Sequence, residues 1–581
     1  MGRPLPDDPE KSRTRAARSE RSHIMKKKKW GKAGALLLTA VLFALYVLLN
    51  SMNLNPLYPE SAFAYCVLVT AVVAICTYDK FGRFVTTHTV SGGMSVPNVS
   101  FVRNATFKKW PLYLVGAVWA VYAVVLAGSS VLFQVRAFRE QMPELTEMEF
   151  AEDFDMVETN QLPIVDEQMA RKLADKKLGE RPSLGSQVVL GEPTLQQVDG
   201  KLLWAVPTYH SGLFKWLTNL DGTPGYVTVS ATNPQDVQYV DGYPIKYQPG
   251  AYLWQNLLFH ARFTAAPFTG LTDYSFELDD TGRPYWVITT YRYLRGFALP
   301  EATGAVVMDC ATGESQTYSI AALPEWVDRV QPEGFIMEQL NNKGEYVHGY
   351  LNFSDKDKYR TSRGEAILYN NGRCYLMTGL TSVGADQSAI GFVMVDMVTK
   401  EPRLYRISGA TEEAAQQSAE GKVQQYGYRA AFPLIVNLNG RPTYFMTLKD
   451  DEGLIKQYAY VSVTDYQTVG VGETITIARQ DYESALRASP GGQAVGSTSQ
   501  QEKELTGTVL RIGSQSIQGS TSYYLVLETP DDLLFSVQAI LSDELPLTRE
   551  GDRVRLSYYE KAGGTQEATS FDNLQFSQAD E

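Results

Sequence analysis

The chain has 581 residues, of which 44% are hydrophobic and 20% are charged, and its formal net charge is −12. This composition is too apolar for an intrinsically disordered chain, and the length is sufficient for several domains. Residues 1–135 carry a net charge of +10, which leaves −22 on the remainder, so nucleic acid is excluded as a favourable partner of the larger part.

Three stretches near the N-terminus contain no Asp, Glu, Lys or Arg, at residues 33–50, 61–78 and 111–134. Crossing a bilayer takes about 20 apolar residues, and roughly 17 are still sufficient. One charge at the centre of a membrane helix costs about 2.5–3.5 kcal/mol, so its absence from all three stretches favours membrane spans over buried core helices. We therefore predict three transmembrane helices within residues 33–134, after a basic tail at residues 1–32.

The basic residues that flank these stretches predict the orientation. Four lysines at 26–29 precede the first stretch, and residues 51–60, which link the first two, contain no Lys or Arg. The second link, residues 79–110, carries Lys80, Arg83, Arg103, Lys108 and Lys109. Because Lys and Arg stay on the cytoplasmic side, we expect a multi-pass plasma-membrane protein with a cytoplasmic N-terminus and a large extracytoplasmic C-terminal part.

Beyond a predicted connector at residues 135–160, one pattern recurs four times. A glycine follows a polar turn residue and precedes Lys or Arg and an apolar run, at Gly200, Gly282, Gly372 and Gly440. Such turns are typical of β-hairpins, because Gly and Asn accept a positive φ at little cost. A second apolar run begins 19–25 residues after each glycine, which indicates an internal repeat.

Helical patterns precede these strands, clearly at residues 166–178 and 411–426, and less clearly at 252–263 and 325–340. The predicted unit is one helix on an antiparallel sheet of about three strands, so the fold class is α+β. The four units are expected at residues 161–248, 249–322, 323–408 and 409–487. One position in each is expected to face the core between helix and sheet, and the residues are Trp204, Trp286, Leu376 and, after a one-residue slip, Phe445.

The second unit carries the most complete motif, with Trp286, Val287, Gly304, Val306, Asp309, Thr312 and Gly313. This motif is similar to that of the PepSY domain family, small α+β modules of bacterial envelope proteins. The other units depart from it, with Ser230 in place of Asp in the first, Lys400 in place of Gly in the third and Thr464 in place of Asp in the fourth. The resemblance implies extracytoplasmic regulatory or peptidase-inhibiting modules.

A stretch rich in Gly, Ser and Gln predicts a linker at residues 488–503. Five strand-like runs follow within residues 504–577 and predict an all-β small barrel of the OB-fold or SH3-like type. From Glu504 onward there are 13 acidic residues against 5 basic ones. This charge disfavours oligonucleotide binding and favours a protein or glycan contact, or a structural cap.

The sequence contains no recognisable metal-binding, nucleophile or P-loop motif, so no catalytic residue, metal or cofactor is predicted. The acidic pairs Asp279–Asp280 and Asp450–Asp451 have the residue type needed for glycan hydrolysis, but each lies in a glycine-containing turn. Asp309 and Asp396 are expected to cap turns. Cys310 and Cys374 are expected to be free, buried thiols rather than a disulfide.

Aromatic residues are the remaining functional signal, and five of them are predicted to contact a partner: Trp216, Tyr243, Tyr247, Tyr252 and Trp254. Our hypothesis is a non-enzymatic scaffold or regulatory protein of the bacterial cell envelope that binds another exported protein or peptide. One alternative is an enzyme acting on cell-wall polymer, and another is a subunit of a multi-protein membrane complex. The expected partners are envelope or membrane proteins and the lipid bilayer.

Overall fold

The structure is a computed structural model that describes residues 31–91, 94–103, 108–154, 162–353, 355–383, 389–407, 409–438, 440–488, 503–517, 520–528, 533–558 and 565–576. Most of the predicted basic tail and of the predicted linker lies outside these residues.

Three helices near the N-terminus are long and apolar enough to cross a membrane: α1 (Gly31–Leu49), α2 (Pro59–Phe81) and α3 (Trp110–Gly128). They confirm the prediction of three apolar spans. Most of their side chains are not covered by protein, as expected for helices that face lipid. Helices α2 and α3 are joined by a bond from Trp119 Nε1 to Thr70 Oγ1 at 2.9 Å. An antiparallel hairpin that the sequence did not predict lies between them, formed by β1 (Gly82–Ser91) and β2 (Met94–Arg103).

The described part of the predicted connector, within residues 135–160, has secondary structure and packs against the third module. It contains most of α4 (Val131–Glu140), followed by β3 (Thr146–Glu147) and α5 (Phe150–Asp153). Strand β3 pairs in parallel with a strand of the third sheet, and Phe150 and Phe154 are buried in the core of that sheet. The segment is held by these tertiary contacts, which a local pattern does not reveal.

Four modules follow, and they confirm the predicted repetition at the level of sheets. The first contains α6 (Glu167–Gly179), α7 (Pro182–Gly185), β4 (Val188–Leu190), β5 (Thr194–Val198), β6 (Lys201–His210), α8 (Leu213–Thr218), β7 (Thr223–Ser230) and β8 (Val237–Ile245). The second contains α9 (Leu257–Thr264), β9 (Gly270–Leu278), β10 (Pro284–Arg295), β11 (Ala298–Asp309) and β12 (Ser315–Ser319). Helix α9 is preceded by a 3-10 turn at Leu253–Gln255.

The third module contains α10 (Glu333–Glu345), β13 (Tyr359–Thr361), β14 (Ala366–Asn370), β15 (Arg373–Ser382), β16 (Ala389–Asp396) and β17 (Pro402–Tyr405). The fourth contains α11 (Glu412–Lys422), β18 (Arg429–Ala430), β19 (Leu434–Leu438), β20 (Arg441–Lys449), β21 (Ile455–Ser462), β22 (Val469–Gly472) and α12 (Ile475–Ala488). Helix α10 begins eight residues later than the start predicted at residue 325.

Each module is an antiparallel meander of four main strands, one more than the sequence predicted. The additional strand is the inner one that precedes each glycine turn, namely β5, β9, β14 and β19. Short strands β4, β13 and β18 pair with the far end of the second strand in the first, third and fourth modules.

Strand register identifies the equivalent positions and corrects one of them. Trp204, Trp286, Leu376 and Tyr444 lie opposite Val229, Met308, Val395 and Val461 in turn, so the predicted slip to Phe445 is wrong. Trp204 Nε1 donates to Val165 O at 2.7 Å, and the Tyr444 hydroxyl donates to Ala410 O at 3.0 Å. Each acceptor directly precedes the residue that caps its module's helix. Phe445 lies on the opposite face of its sheet, against α12.

The turn after the third main strand is also equivalent in all four modules. Asp309 and Asp396 accept bonds from backbone N–H groups two and three residues later, which confirms that they cap turns. Ser230 and Ser462 accept the same type of bond from the residue three positions later. The equivalent in the fourth module is therefore Ser462, and the predicted alignment at Thr464 is wrong.

Contacts between modules close a ring. The second face of the first sheet packs on α9 and that of the third packs on α11. The second face of the fourth sheet packs on α12 and shares one core with α6. The second sheet packs on Val327 and Val330, which lead into α10. Inner strands meet near the centre, where Gln196 of β5 exchanges two bonds with the Leu278 backbone of β9, at 2.7 and 2.8 Å.

Among the described residues after α12 there are five strands: β23 (Lys503–Ile517), β24 (Ser520–Leu527), β25 (Leu534–Gln538), β26 (Arg553–Tyr558) and β27 (Gln566–Asn573). They hydrogen-bond in the order β23–β24–β25–β27–β26, and β26 pairs with the first half of β23. Their shared core is apolar and includes Val509, Leu525 and Phe535.

Candidate functional site

A cavity of about 820 Å³ lies among the first, third and fourth modules. Its walls include the inner strands β5, β14 and β19, together with the turns at Gly200, Gly372 and residues 230–236. Phe154 and Leu162 also line it. We refer to this space as the axial cavity, because three of the four inner strands of the ring line it.

The axial cavity meets two of these strands edge-on. Side chains alternate between the two faces of a strand, so a cavity that touched only one face would be lined by every second residue. Here consecutive residues line it, Ile367 to Asn370 from β14 and Leu434 to Val436 from β19, which indicates that the cavity lies at the edges of these strands. In the described part of the chain, β5, β14 and β19 each pair with a single neighbouring strand. The other edges of β14 and β19 present backbone N–H and C=O groups, the arrangement that accepts an additional strand. On the other edge of β5, Leu195 O and Gln197 N already bond to Arg329 and Asp328.

Uncharged polar side chains make up most of the polar lining of the cavity: Gln197, Thr228, Ser230, Thr232, Asn233, Gln238, Asn370 and Asn371. The charged lining residues among those described are Lys201 and Asp236. Amides and hydroxyls offer donors and acceptors without a concentrated field. The lining therefore suits a ligand that carries many neutral polar groups, as a polypeptide main chain does.

A cluster of buried ionisable groups lies behind one wall of the cavity. Asp328 accepts bonds from the Tyr369 hydroxyl at 2.8 Å and from Gln197 N at 3.3 Å, and both donors line the cavity. Asp328 N in turn donates to Glu277 Oε2 at 3.0 Å. Burial, reinforced by the Asp328 charge, raises the pKa of Glu277 to about 8, and burial raises the pKa of Asp328 to about 6. Both shifts favour the protonated acids, so this pair holds protons more tightly than exposed carboxyl groups do.

Arg329 is the positive member of this cluster. It donates to Leu195 O at 3.4 Å and lies 3.7 Å from the Glu333 carboxylate. The sequence did not reveal the cluster. Glu277 alternates with the apolar Phe276 and Leu278, a pattern that predicts a solvent-facing acid. The two faces of its strand are both covered in the ring, so the acid is 1% exposed.

The five predicted contact residues divide into two groups. Trp216 and Tyr252 lie together with ring centroids 5.4 Å apart, and Trp254 lies two residues beyond Tyr252 and is 67% exposed. Tyr243 packs against the core residue Tyr226, and Tyr247 packs on the His260 ring at 4.4 Å. Of the five residues, Tyr252 and Trp254 are exposed, Tyr243 and Tyr247 are half-buried, and Trp216 is buried.

Other predicted residues have structural surroundings. Asp279 accepts bonds within its own turn, and Asp450 accepts from Leu454 N at 2.7 Å and pairs with Lys456. Cys310 and Cys374 are free and buried, as predicted. Burial raises the pKa of the Cys374 thiol to about 12, so it is not a reactive thiolate. Among the described residues no group of three or more His, Cys, Asp or Glu could hold a metal ion.

No family model and no curated protein matches the chain. One similar solved structure is a complex of BT0996 with RGII, at 9% identity over 66% of this protein and 91% of that one, with a TM-score of 0.16. Another is an exo-1,5-α-L-arabinanase from a bovine ruminal metagenomic library, at 12% identity over 47% and 74%, with a TM-score of 0.14. A levansucrase mutant of B. megaterium has 7% identity over 71% and 97%, with a TM-score of 0.14. These scores are too low to establish a shared fold.

Proposed function

We propose that the chain is a membrane-anchored, extracytoplasmic scaffold or regulatory protein of the bacterial cell envelope, which binds an extended segment of another exported protein in the axial cavity. One observation carries this proposal: the inner strands β14 and β19 line one cavity edge-on, and each pairs with a single neighbouring strand among the described residues. An extended peptide binds such an edge through main-chain hydrogen bonds, and neighbouring pockets select its side chains.

The charges of the lining support a peptide over a polyanion. The one described cation of the wall, Lys201, is accompanied by Asp236, so the cavity has no excess of positive charge. The PepSY-like motif supports the same class of ligand, since that family is associated with peptidase regulation. The acidic five-stranded domain, which we assign to the predicted OB-fold or SH3-like class, favours a protein or glycan contact rather than nucleic acid.

Filling the cavity tests this function. We expect Thr228→Trp to abolish binding of a library of ten-residue peptides to the full chain in nanodiscs, because an indole at this position of β7 would fill part of the cavity that Thr228 lines. The matched control is Thr317→Trp on the exposed outer strand β12, which should bind as the unsubstituted chain does. Titration followed by fluorescence anisotropy measures both.

Peptides that carry backbone N-methyl groups provide a second criterion. They should bind at least tenfold more weakly if main-chain bonds to the strand edges provide the affinity. Equal affinity for methylated peptides would contradict the strand-edge model. Turnover of cell-wall polymer by the same preparation would instead support the enzyme alternative.

The predicted orientation has a separate test. A single cysteine placed at Leu57, in the first link, should react with a membrane-impermeant maleimide added to intact cells. A cysteine at Lys108, in the second link, should react only after lysis. Reaction at Lys108 in intact cells, with protection at Leu57, would reverse the orientation.

A further inference from the structure

Large apolar side chains project from two neighbouring segments of the ring. The first is α8 and the residues after it, and the second is the 3-10 turn that leads into α9. Their exposed members, which we name the apolar patch, are Leu213, Phe214, Leu217, Leu220, Tyr252, Leu253, Trp254 and Leu258. Phe214 is 81% exposed and Trp254 is 67% exposed, although they belong to an ordered module with a well-packed core. Exposed patches of this kind mark interaction surfaces.

The two segments are held together by hydrogen bonds. Trp216 Nε1 donates to Gln255 Oε1 at 2.6 Å, and Gln255 Nε2 donates to Leu220 O at 2.8 Å. Asn256 caps α9 by accepting from Phe259 N at 3.1 Å. These bonds hold the two segments next to each other before any partner binds.

The patch lies about the length of α9 away from contacts between the ring and the membrane-spanning part of the chain. Leu258 lies one helical turn before Arg262 on α9, and Arg262 Nε donates to Ser51 O at 3.0 Å, two residues after α1 ends. Leu54 N donates to Pro267 O at 2.9 Å, just beyond the same C-terminal end of α9. Because eight helical residues span about 12 Å, the patch begins close to the point where the chain leaves the bilayer.

We propose that the apolar patch inserts into the lipid leaflet on its own side of the membrane, as a second attachment besides the three spans. Trp and Tyr beside Leu and Phe are the side chains that favour the boundary between headgroups and acyl chains. Residues 213–220 carry one charge, Lys215, and residues 252–258 carry none, whereas the part of the chain after residue 135 has a net charge of −22. The patch is thus a part of the acidic surface that anionic headgroups do not repel.

Fluorescence quenching by spin-labelled lipids tests the insertion. The full chain, with Cys76 replaced by Ala and a single NBD-labelled cysteine at Phe214 or Trp254, is placed in nanodiscs that hold one copy each. Lipids with a nitroxide near the start of the acyl chain should quench both labels by at least half. A label at Phe268 is the positive control, because the Phe268 carbonyl accepts a hydrogen bond from Asn55 in the first link between the spans. A label at the exposed Leu547 in the C-terminal five-stranded domain is the negative control.

Failure of quenching at residues 214 and 254, with quenching at 268, would overturn the proposal. A protein partner or a second copy would then be the occupant, and energy transfer between labelled copies in larger discs separates these two. All labelled positions are already exposed, so loss of folding does not confuse the result. The proposal is independent of the cavity, and Thr228→Trp should leave the quenching unchanged.

Discussion

Replacing Trp286 with Ala is expected to lower the free energy of unfolding by about 3–5 kcal/mol, as large-to-small changes in a core do. Trp286 is 1% exposed, and its ring lies 5.2 Å from that of Phe276 and 6.1 Å from that of Tyr209. Its Nε1 also donates to Tyr247 O at 2.7 Å, a bond that Ala cannot make. Because Tyr209 belongs to the first module, the cavity left by Ala would loosen the contact between two modules.

The shift of the urea midpoint of the full chain in detergent micelles measures this effect. Trp254→Ala is the matched control, since it removes the same side chain from an exposed position and should change the midpoint little. If both substitutions had equal effects, Trp286 would not be the core residue that its position in the repeat requires.

Stability is expected to fall as the pH rises, and Glu277 should be a main cause. Its pKa of about 8 in the folded chain lies above its ordinary value near 4.5, so the folded state holds a proton that the unfolded state releases. The contribution is present in full below about pH 4.5 and is lost as the pH passes through about 8. The raised pKa of Asp328 also makes stability fall with rising pH, and its contribution is lost as the pH passes through about 6.

Glu277→Gln should remove much of this dependence, because Gln can keep the bonds with Ser275 and the Asp328 backbone without titrating. Between pH 6 and pH 9 the variant should have a higher melting temperature than the unsubstituted chain. Glu314→Gln in an exposed turn is the control and should follow the unsubstituted curve. A variant curve parallel to the unsubstituted one would show that Glu277 does not carry the proton.

Local patterns in the sequence were sufficient for the elements whose residues act on near neighbours. The three spans follow from charge-free apolar runs, and α6 follows from an amphipathic pattern that begins at the Asp166 cap. The repeat follows from glycine turns before apolar strands, and the capping role of Asp309 follows from turn chemistry. Each of these signals lies within about one turn or one strand of the chain.

The register of the strands could not be predicted from a local pattern in the sequence. The choice between Tyr444 and Phe445 depends on which of them lies opposite Val461, a pairing made across the sheet. Both side chains are large, aromatic and buried, so neither hydrophobicity nor spacing separates them. A slip of one residue exchanges the two faces of a strand, which is why this error placed Phe445 in the wrong core.

The sequence by itself determined the membrane spans, the repeated hairpins and the helices that precede them, because these depend on hydrophobicity and turn chemistry over short distances. Only the tertiary structure decided that the modules close into a ring, that two strand edges face one cavity and that Glu277 is buried beside Asp328. Those features arise where residues far apart in sequence meet. The burial of a side chain is then set by the neighbouring module rather than by its own strand.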